Sequence, residues 1–173
     1  MEIEYLEIEI DDEDNYKDVE IKNYRDKEFP AGLYYVGDLC YLLQSDDNEI
    51  HSSMYYKYVC GFIYGKENRR KPRLVKCENV SFIAYFDRTA YGDGGYSDNK
   101  GNHYGVDAGL IGIVQLTDED LLLKAKSVEN RLSAKIIEFK EPFLVSSKRG
   151  LFNFGDITIC TYNSKKMRRK VDF

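Results

Sequence analysis

Cysteine, histidine and tryptophan are scarce in this chain of 173 residues, which contains four, two and none of them respectively. The cysteines stand at 40, 60, 77 and 160 without any Cys-x-x-Cys pair, and only His51 and His103 could supply histidine ligands to complete a zinc site. Each cysteine lies in or beside an apolar run. We therefore expect buried, reduced thiols in an intracellular protein, with no disulfide, metal or cofactor.

Long apolar runs and a leader-like N-terminus are also missing. No run approaches the roughly 20 apolar residues of a transmembrane helix. Residues 1–10 lack the basic and apolar regions of a signal peptide. The net charge of −5 excludes a uniformly basic nucleic-acid-binding surface. We expect a protein that does not contact a membrane.

The two ends of the chain carry opposite charge. Ten of the first twenty residues are acidic, and five of the six residues from 165 to 170 are basic. We expect one α+β domain over 1–173, and the sequence leaves open whether the acidic segment 11–28 and the basic tail 164–173 are ordered. A solvated tail, or a contact between the tail and the acidic N-terminus, is favoured. Nucleic-acid contact or nuclear targeting is the alternative, and only through the tail, at Lys165, Lys166, Arg168, Arg169 and Lys170.

Short segments of β-strand character fill most of the remaining chain. Apolar alternation or apolar runs predict strands near 6–10, 55–64, 80–86, 110–116, 135–139, 143–146, 151–154 and 156–162. A strand from residue 31, a turn at Gly37-Asp38 and a second short element are predicted up to residue 43. These signals indicate a mostly antiparallel sheet, either a sandwich or a strongly bent sheet.

One main amphipathic helix is predicted near 118–133. Thr117 supplies an N-cap, and acidic residues at 118–120 suit the first turn of a helix. Leu121, Ala125, Val128 and Leu132 then recur at helical spacing. We expect this helix to pack across the sheet.

The stretch 88–109 is rich in glycine, aspartate and tyrosine. Glycines at 94 and 101 permit positive φ, so we predict a hairpin with its tip at 98–102. Asp93, Asp98 and Asp107 lie close in sequence, but their spacing does not match an EF-hand loop. Asp and Asn beside Gly are also typical of turns. Turn formation is therefore favoured over a metal site, and no metal is expected.

Nucleophilic catalysis needs a thiol or hydroxyl, a base and an orienting group. Cys40, His103 and Asp107 are candidates for such a set, although their mutual geometry is spatial and the sequence does not test it. We place Cys40 in an apolar strand, where nothing predicts a lowered thiol pKa. No Gly-x-Ser-x-Gly elbow and no phosphate-binding glycine loop is present.

Four motifs stand out along the chain, namely Gly-Asp-x-Cys-Tyr at 37–41, Tyr-Gly-Asp-Gly-x-Tyr at 91–96, Val-Asp-Ala-Gly at 106–109 and Gly-Leu-Phe-Asn-Phe-Gly-Asp-Ile at 150–157. Together they resemble a family of small proteins from bacteriophages, giant DNA viruses and some bacteria. The resemblance covers 31–162 discontinuously, and Leu39 stands where the family pattern has proline. The family has no assigned activity, so the resemblance implies a shared fold and a viral setting but no catalytic residues. It implies a location in the host cytoplasm or a virion.

We therefore predict a non-enzymatic, viral or phage-like accessory or interaction protein that binds a macromolecular partner, with a protein favoured, or a small ligand through a face built on 91–107. The predicted ligand-binding residues are Asp38, Tyr91, Asp93, Tyr96, His103 and Asp107. One alternative is a small hydrolase that uses Cys40 with His103, or the Asp93 and Asp107 carboxylates. A second alternative is a structural component of a virion.

Overall fold

The computed structural model describes residues 19–22, 26–43, 73–77, 82–131 and 134–162. Twelve strands and two helices lie within these residues. The strands are β1 (Val19–Lys22), β2 (Asp26–Phe29), β3 (Gly32–Gly37), β4 (Arg73–Cys77), β5 (Phe82–Arg88), β6 (Gly94–Ser97), β7 (His103–Val106), β8 (Leu110–Gln115), β9 (Ala134–Phe139), β10 (Phe143–Lys148), β11 (Leu151–Phe154) and β12 (Ile157–Cys160). The helices are α1 (Leu39–Leu43) and α2 (Glu119–Asn130).

The strands form three antiparallel sheets. The largest has six strands in the order β1-β4-β5-β8-β3-β9, and a second has four in the order β12-β11-β10-β2. The hairpin β6-β7 forms the third, and a single bridge between Asp98 and Ile159 connects its end to β12. The predicted α+β class with mostly antiparallel strands is confirmed.

Buried side chains form two clusters. One combines α1 and α2 with residues of the six-stranded sheet such as Tyr35, Phe86 and Val114. The other combines residues of that sheet, such as Tyr34 and Ile113, with residues of the four-stranded sheet and of the hairpin β6-β7. Strand β8 is buried over Leu110–Val114 because it lies inside the sheet and contributes to both clusters, which explains its continuous apolar sequence.

Helix α2 begins and ends close to the predicted limits. Its N-cap is Asp118, whose carboxylate accepts a hydrogen bond from the N–H of Leu121 at 2.8 Å, so the choice of Thr117 as N-cap was wrong by one residue. Leu121, Ala125 and Val128 are buried against the sheet. In the last turn of the helix, the Glu129 carboxylate accepts from the N–H of Ile136 and thereby holds α2 to β9.

Some predictions lie outside the described residues, namely the strands near 6–10 and 55–64, Cys60 and the basic tail. Within the acidic segment 11–28, the structure describes β1 and part of β2. Cys40 and Cys160 are unpaired thiols, each half-buried. No helix in the described part of the chain is long and apolar enough to cross a membrane.

Candidate binding face

The predicted hairpin exists, and its two sides differ in exposure. Tyr96 and Tyr104 face each other across β6 and β7 and are buried in the core. Because neighbouring side chains on a strand point to opposite sides, the residues that alternate with them point outward. We call this outward side the hairpin face, and its residues are Gly95, Ser97, His103 and Gly105.

Small residues leave room on this face for one imidazole ring. A Cβ atom added at Gly95 would lie 2.7 Å from Cε1 of His103, so the ring rests directly on the glycine backbone. Gly95 and His103 are both exposed. The hairpin face therefore presents peptide groups and the imidazole ring of His103 at its surface.

Asp98 organises the tip of the hairpin. Its Oδ1 accepts from the backbone N–H groups of Lys100 and Asn102, and its Oδ2 accepts from the Asn102 side chain and from the Tyr104 hydroxyl at 2.7 Å. Burial acts to raise the pKa of Asp98, but these hydrogen bonds outweigh it and the pKa is lowered. The carboxylate builds the turn and leaves no oxygen without a donor.

The tip is also fastened to β12. The N–H of Asn99 donates to the carbonyl of Thr158 at 3.0 Å, and the N–H of Thr158 donates to the Asn99 side chain at 2.9 Å. Asn99 donates from its amide to the carbonyl of Asp156, and Lys100 forms an ion pair with the Asp156 carboxylate. The tip is therefore held in place by contacts of Asn99 and Lys100 with β12 and the turn before it.

Asp38 fastens the base of the hairpin. Its side chain is fully buried and accepts from the N–H of Cys40 at 3.0 Å, of Asp107 at 2.8 Å and of Ala108 at 2.7 Å. Burial raises the pKa of Asp38, and the three N–H groups offset that effect only in part. One carboxylate thus joins the start of α1 to a turn about 70 residues further along the chain.

Cys40 lies in the short helix α1, so its placement in a strand was wrong. The turn at Gly37-Asp38 starts a helical segment because the Asp38 carboxylate caps the N–H of Cys40. Burial, the Asp38 carboxylate and Asp107 raise the pKa of the Cys40 thiol far above its usual range. A thiol that stays protonated is a weak nucleophile.

The remaining predicted residues lie around the base. Asp107 is exposed, and its carboxylate accepts a hydrogen bond from the Tyr41 hydroxyl. Asp93 is exposed and Tyr91 is half-buried in the turn that precedes β6. The structure thus brings Asp38 and Asp107 together through a backbone contact, whereas Tyr96 points into the core.

The turn before β6 is itself well anchored. The hydroxyls of Thr89 and Tyr96 both donate to the carbonyl of Gly92, at 2.6 and 2.8 Å. Thr161 follows β12, and its hydroxyl accepts from the N–H of Ala90 at 2.9 Å. The hairpin face is consequently supported from its base, its inner side and its tip.

Sequence reasoning missed one buried polar chain between the sheets. The Tyr85 hydroxyl lies 3.0 Å from Oγ of Ser147. The Ser147 hydroxyl in turn donates to the Asp87 carboxylate at 2.7 Å. All three residues are buried. The position of Asp87 at the end of an apolar strand could have indicated a buried carboxylate, but nothing in the sequence pointed to Ser147 as its partner, which is 60 residues away.

Across the described residues, no group of three or more His, Cys, Asp or Glu side chains is placed to hold a metal ion. Comparison of the chain with family models, with curated proteins and with solved structures found no match. The resemblance to viral and phage proteins therefore rests on the sequence motifs alone.

Proposed function

We propose that this chain is a non-enzymatic interaction protein that binds a protein partner through the hairpin face. The observation that supports the proposal is that two buried carboxylates bind backbone N–H groups of the hairpin and its neighbouring turn. Asp38 and Asp98 direct their oxygens at backbone N–H groups, as turn-building residues do, rather than converging with His103 on a shared pocket. Their role is to hold a surface in one shape.

A surface held in this way suits recognition. Ordering a loop on binding costs free energy, so a hairpin that is already fixed at both ends binds with a smaller entropic loss. The anchors at Asp38, Asp98 and Asn99 supply that order before any partner arrives. The exposed imidazole of His103 and the carboxylates of Asp93 and Asp107 supply polar contacts around the face.

The proposal keeps the viral or phage-like, intracellular setting that the sequence motifs imply. It also treats the six-stranded and four-stranded sheets as a sandwich, because residues of both contribute to one buried cluster. Helix α2 then acts as the amphipathic helix on the opposite side, since Leu121 and Val128 pack into the other cluster while Ser127 is exposed.

Matched arginine substitutions test the proposal. Ser97→Arg adds a long charged side chain to the hairpin face, and Ser127→Arg adds the same side chain to the exposed side of α2. Each variant and the wild-type chain is used to capture proteins from a native host extract, followed by quantitative mass spectrometry. We expect a partner whose recovery falls at least about tenfold with Ser97→Arg and stays unchanged with Ser127→Arg, because obstruction of a central contact removes over 1.4 kcal/mol.

Equal recovery of every captured protein by both variants would contradict the proposal. Hydrolytic turnover of a generic ester or amide substrate that is lost with Cys40→Ala or His103→Ala would instead support the hydrolase. Circular dichroism of both arginine variants controls for unfolding.

A further inference from the structure

The three backbone N–H groups that contact the Asp38 carboxylate come from two separate parts of the chain. Oδ1 accepts from the N–H of Cys40 at the start of α1. Oδ2 accepts from the N–H groups of Asp107 and Ala108, which follow β7 directly. The side chain is fully buried, so water does not replace these contacts when one is lost.

An ionised carboxylate matches this site because it only accepts hydrogen bonds. A protonated carboxyl group carries an O–H that needs an acceptor of its own. These three N–H groups, and the Cys40 thiol that also contacts the carboxylate, all donate to its ionised form, so an added proton competes with them for the two oxygens. We expect at least one contact then to lengthen or turn away, either at α1 or at the turn 107–109.

The charged and titratable groups around Asp38 belong to three elements. Tyr35 of β3 donates its hydroxyl to the Asp38 carbonyl at 2.6 Å, Cys40 and Tyr41 belong to α1, and Asp107 lies in the turn. None of them carries a positive charge that would hold the carboxylate ionised. Burial raises the pKa of Asp38, so this carboxylate takes up a proton at a higher pH than an ordinary aspartate does.

We propose that the Asp38 carboxylate is a proton-operated latch, which holds the turn 107–109 against α1 when ionised and loosens it when protonated. Because the pKa of Asp38 is raised in the folded chain, its protonation does not by itself favour the unfolded chain, so opening of the latch and unfolding are separate events. The latch goes beyond the proposed function, since it needs no partner. If the hairpin face binds a protein, the latch makes that binding sensitive to pH.

Hydrogen exchange of single backbone amides tests the latch in the full-length chain. Protection factors of Cys40, Asp107 and Ala108 are measured by NMR from about pH 7.5 to about pH 4 and divided by those of Lys100 and Asn102. The latter two amides donate to Asp98, whose pKa is lowered, so they serve as an internal reference. We expect the ratio to fall about tenfold or more as the pH decreases, with the greatest loss at the contact that opens.

Two variants identify the titrating group. Asp107→Asn keeps the backbone N–H that donates to Asp38 but removes the Asp107 carboxylate, so the same transition is expected. Asp38→Asn carries an amide that resembles the protonated state, so low protection without a pH transition is expected. A ratio that stays constant in the wild-type chain, or a transition that disappears with Asp107→Asn, would overturn the latch. The wild-type and Asp107→Asn measurements decide the question even if Asp38→Asn does not fold.

Discussion

Removal of one hydroxyl, by Tyr104→Phe, measures how strongly the hairpin tip is held. The Tyr104 side chain is fully buried, and its hydroxyl donates to Oδ2 of Asp98 at 2.7 Å. Phenylalanine keeps the ring packing and removes only this donor. The Asp98 carboxylate retains the N–H groups of Lys100 and Asn102 and the Asn102 amide.

Hydrogen bonds to charged groups contribute about 1.5–3 kcal/mol to stability. Because three donors to Asp98 remain, we expect the lower part of that range, about 1.5–2 kcal/mol at neutral pH. For a chain of this size the loss corresponds to a decrease in Tm of roughly 3–8 °C. Chemical denaturation followed by circular dichroism gives the free energy directly.

The pH dependence of the same variant has a defined sign. The pKa of Asp98 is lowered in the folded chain, so its stabilisation is present above the ordinary aspartate pKa and is lost as the pH falls through the lowered value. Removal of the Tyr104 hydroxyl reduces that shift. The stability difference between the wild type and Tyr104→Phe should therefore shrink in acid.

Tyr96→Phe is the matched control, because the Tyr96 hydroxyl donates to the neutral carbonyl of Gly92 on the same hairpin. We expect a loss of about 0.5–1 kcal/mol that does not depend on pH. A Tyr104→Phe loss no larger than that of Tyr96→Phe, or one that is the same in acid and at neutral pH, would refute the assigned role of Asp98.

Three further predictions concern other parts of the molecule. Gly112→Ala should lower the free energy of unfolding by about 3 kcal/mol, because the new Cβ would lie 2.7 Å from the Tyr85 carbonyl oxygen, which is backbone and cannot move aside. A decrease below about 1 kcal/mol in chemical denaturation would contradict this. Burial raises the pKa of Asp87, so the wild type should gain stability relative to Asp87→Asn as the pH falls toward the ordinary aspartate pKa, and a loss of wild-type stability relative to that variant in acid is the opposing result. Lys100→Ala should change stability by less than about 1 kcal/mol, since the ion pair with Asp156 is exposed, and a larger loss would show that the tip depends on it.

Local elements were predicted well where a short stretch carries its own pattern. The helix predicted near 118–133 occupies Glu119–Asn130, and the strand predicted at 110–116 occupies Leu110–Gln115. The hairpin tip lies between β6 and β7 as expected from its glycines. In each case the signal and the structure that it specifies lie within a few residues of each other.

Placement of the candidate site was less predictable. Tyr96 was expected to bind a ligand, but it packs in the core, because alternation along β6 sends its ring inward. Cys40 has the apolar neighbours of a strand residue, yet it lies in α1 because Asp38 caps that helix. The first outcome depends on which side of a strand faces the core, and the second on a capping contact that the apolar pattern does not reveal.

The sequence by itself determined the antiparallel α+β class, the position of the main helix and the hairpin turn, because periodicity and turn residues act over short distances along the chain. Only the tertiary structure decided that Asp38 would meet Ala108 and that Asp87 would meet Ser147, at separations of 70 and 60 residues. An aspartate in the sequence indicates that a buried carboxylate will need hydrogen-bond donors, but not which residues will provide them. That choice is made when the sheets and helices pack, since packing brings distant N–H and O–H groups to a buried oxygen.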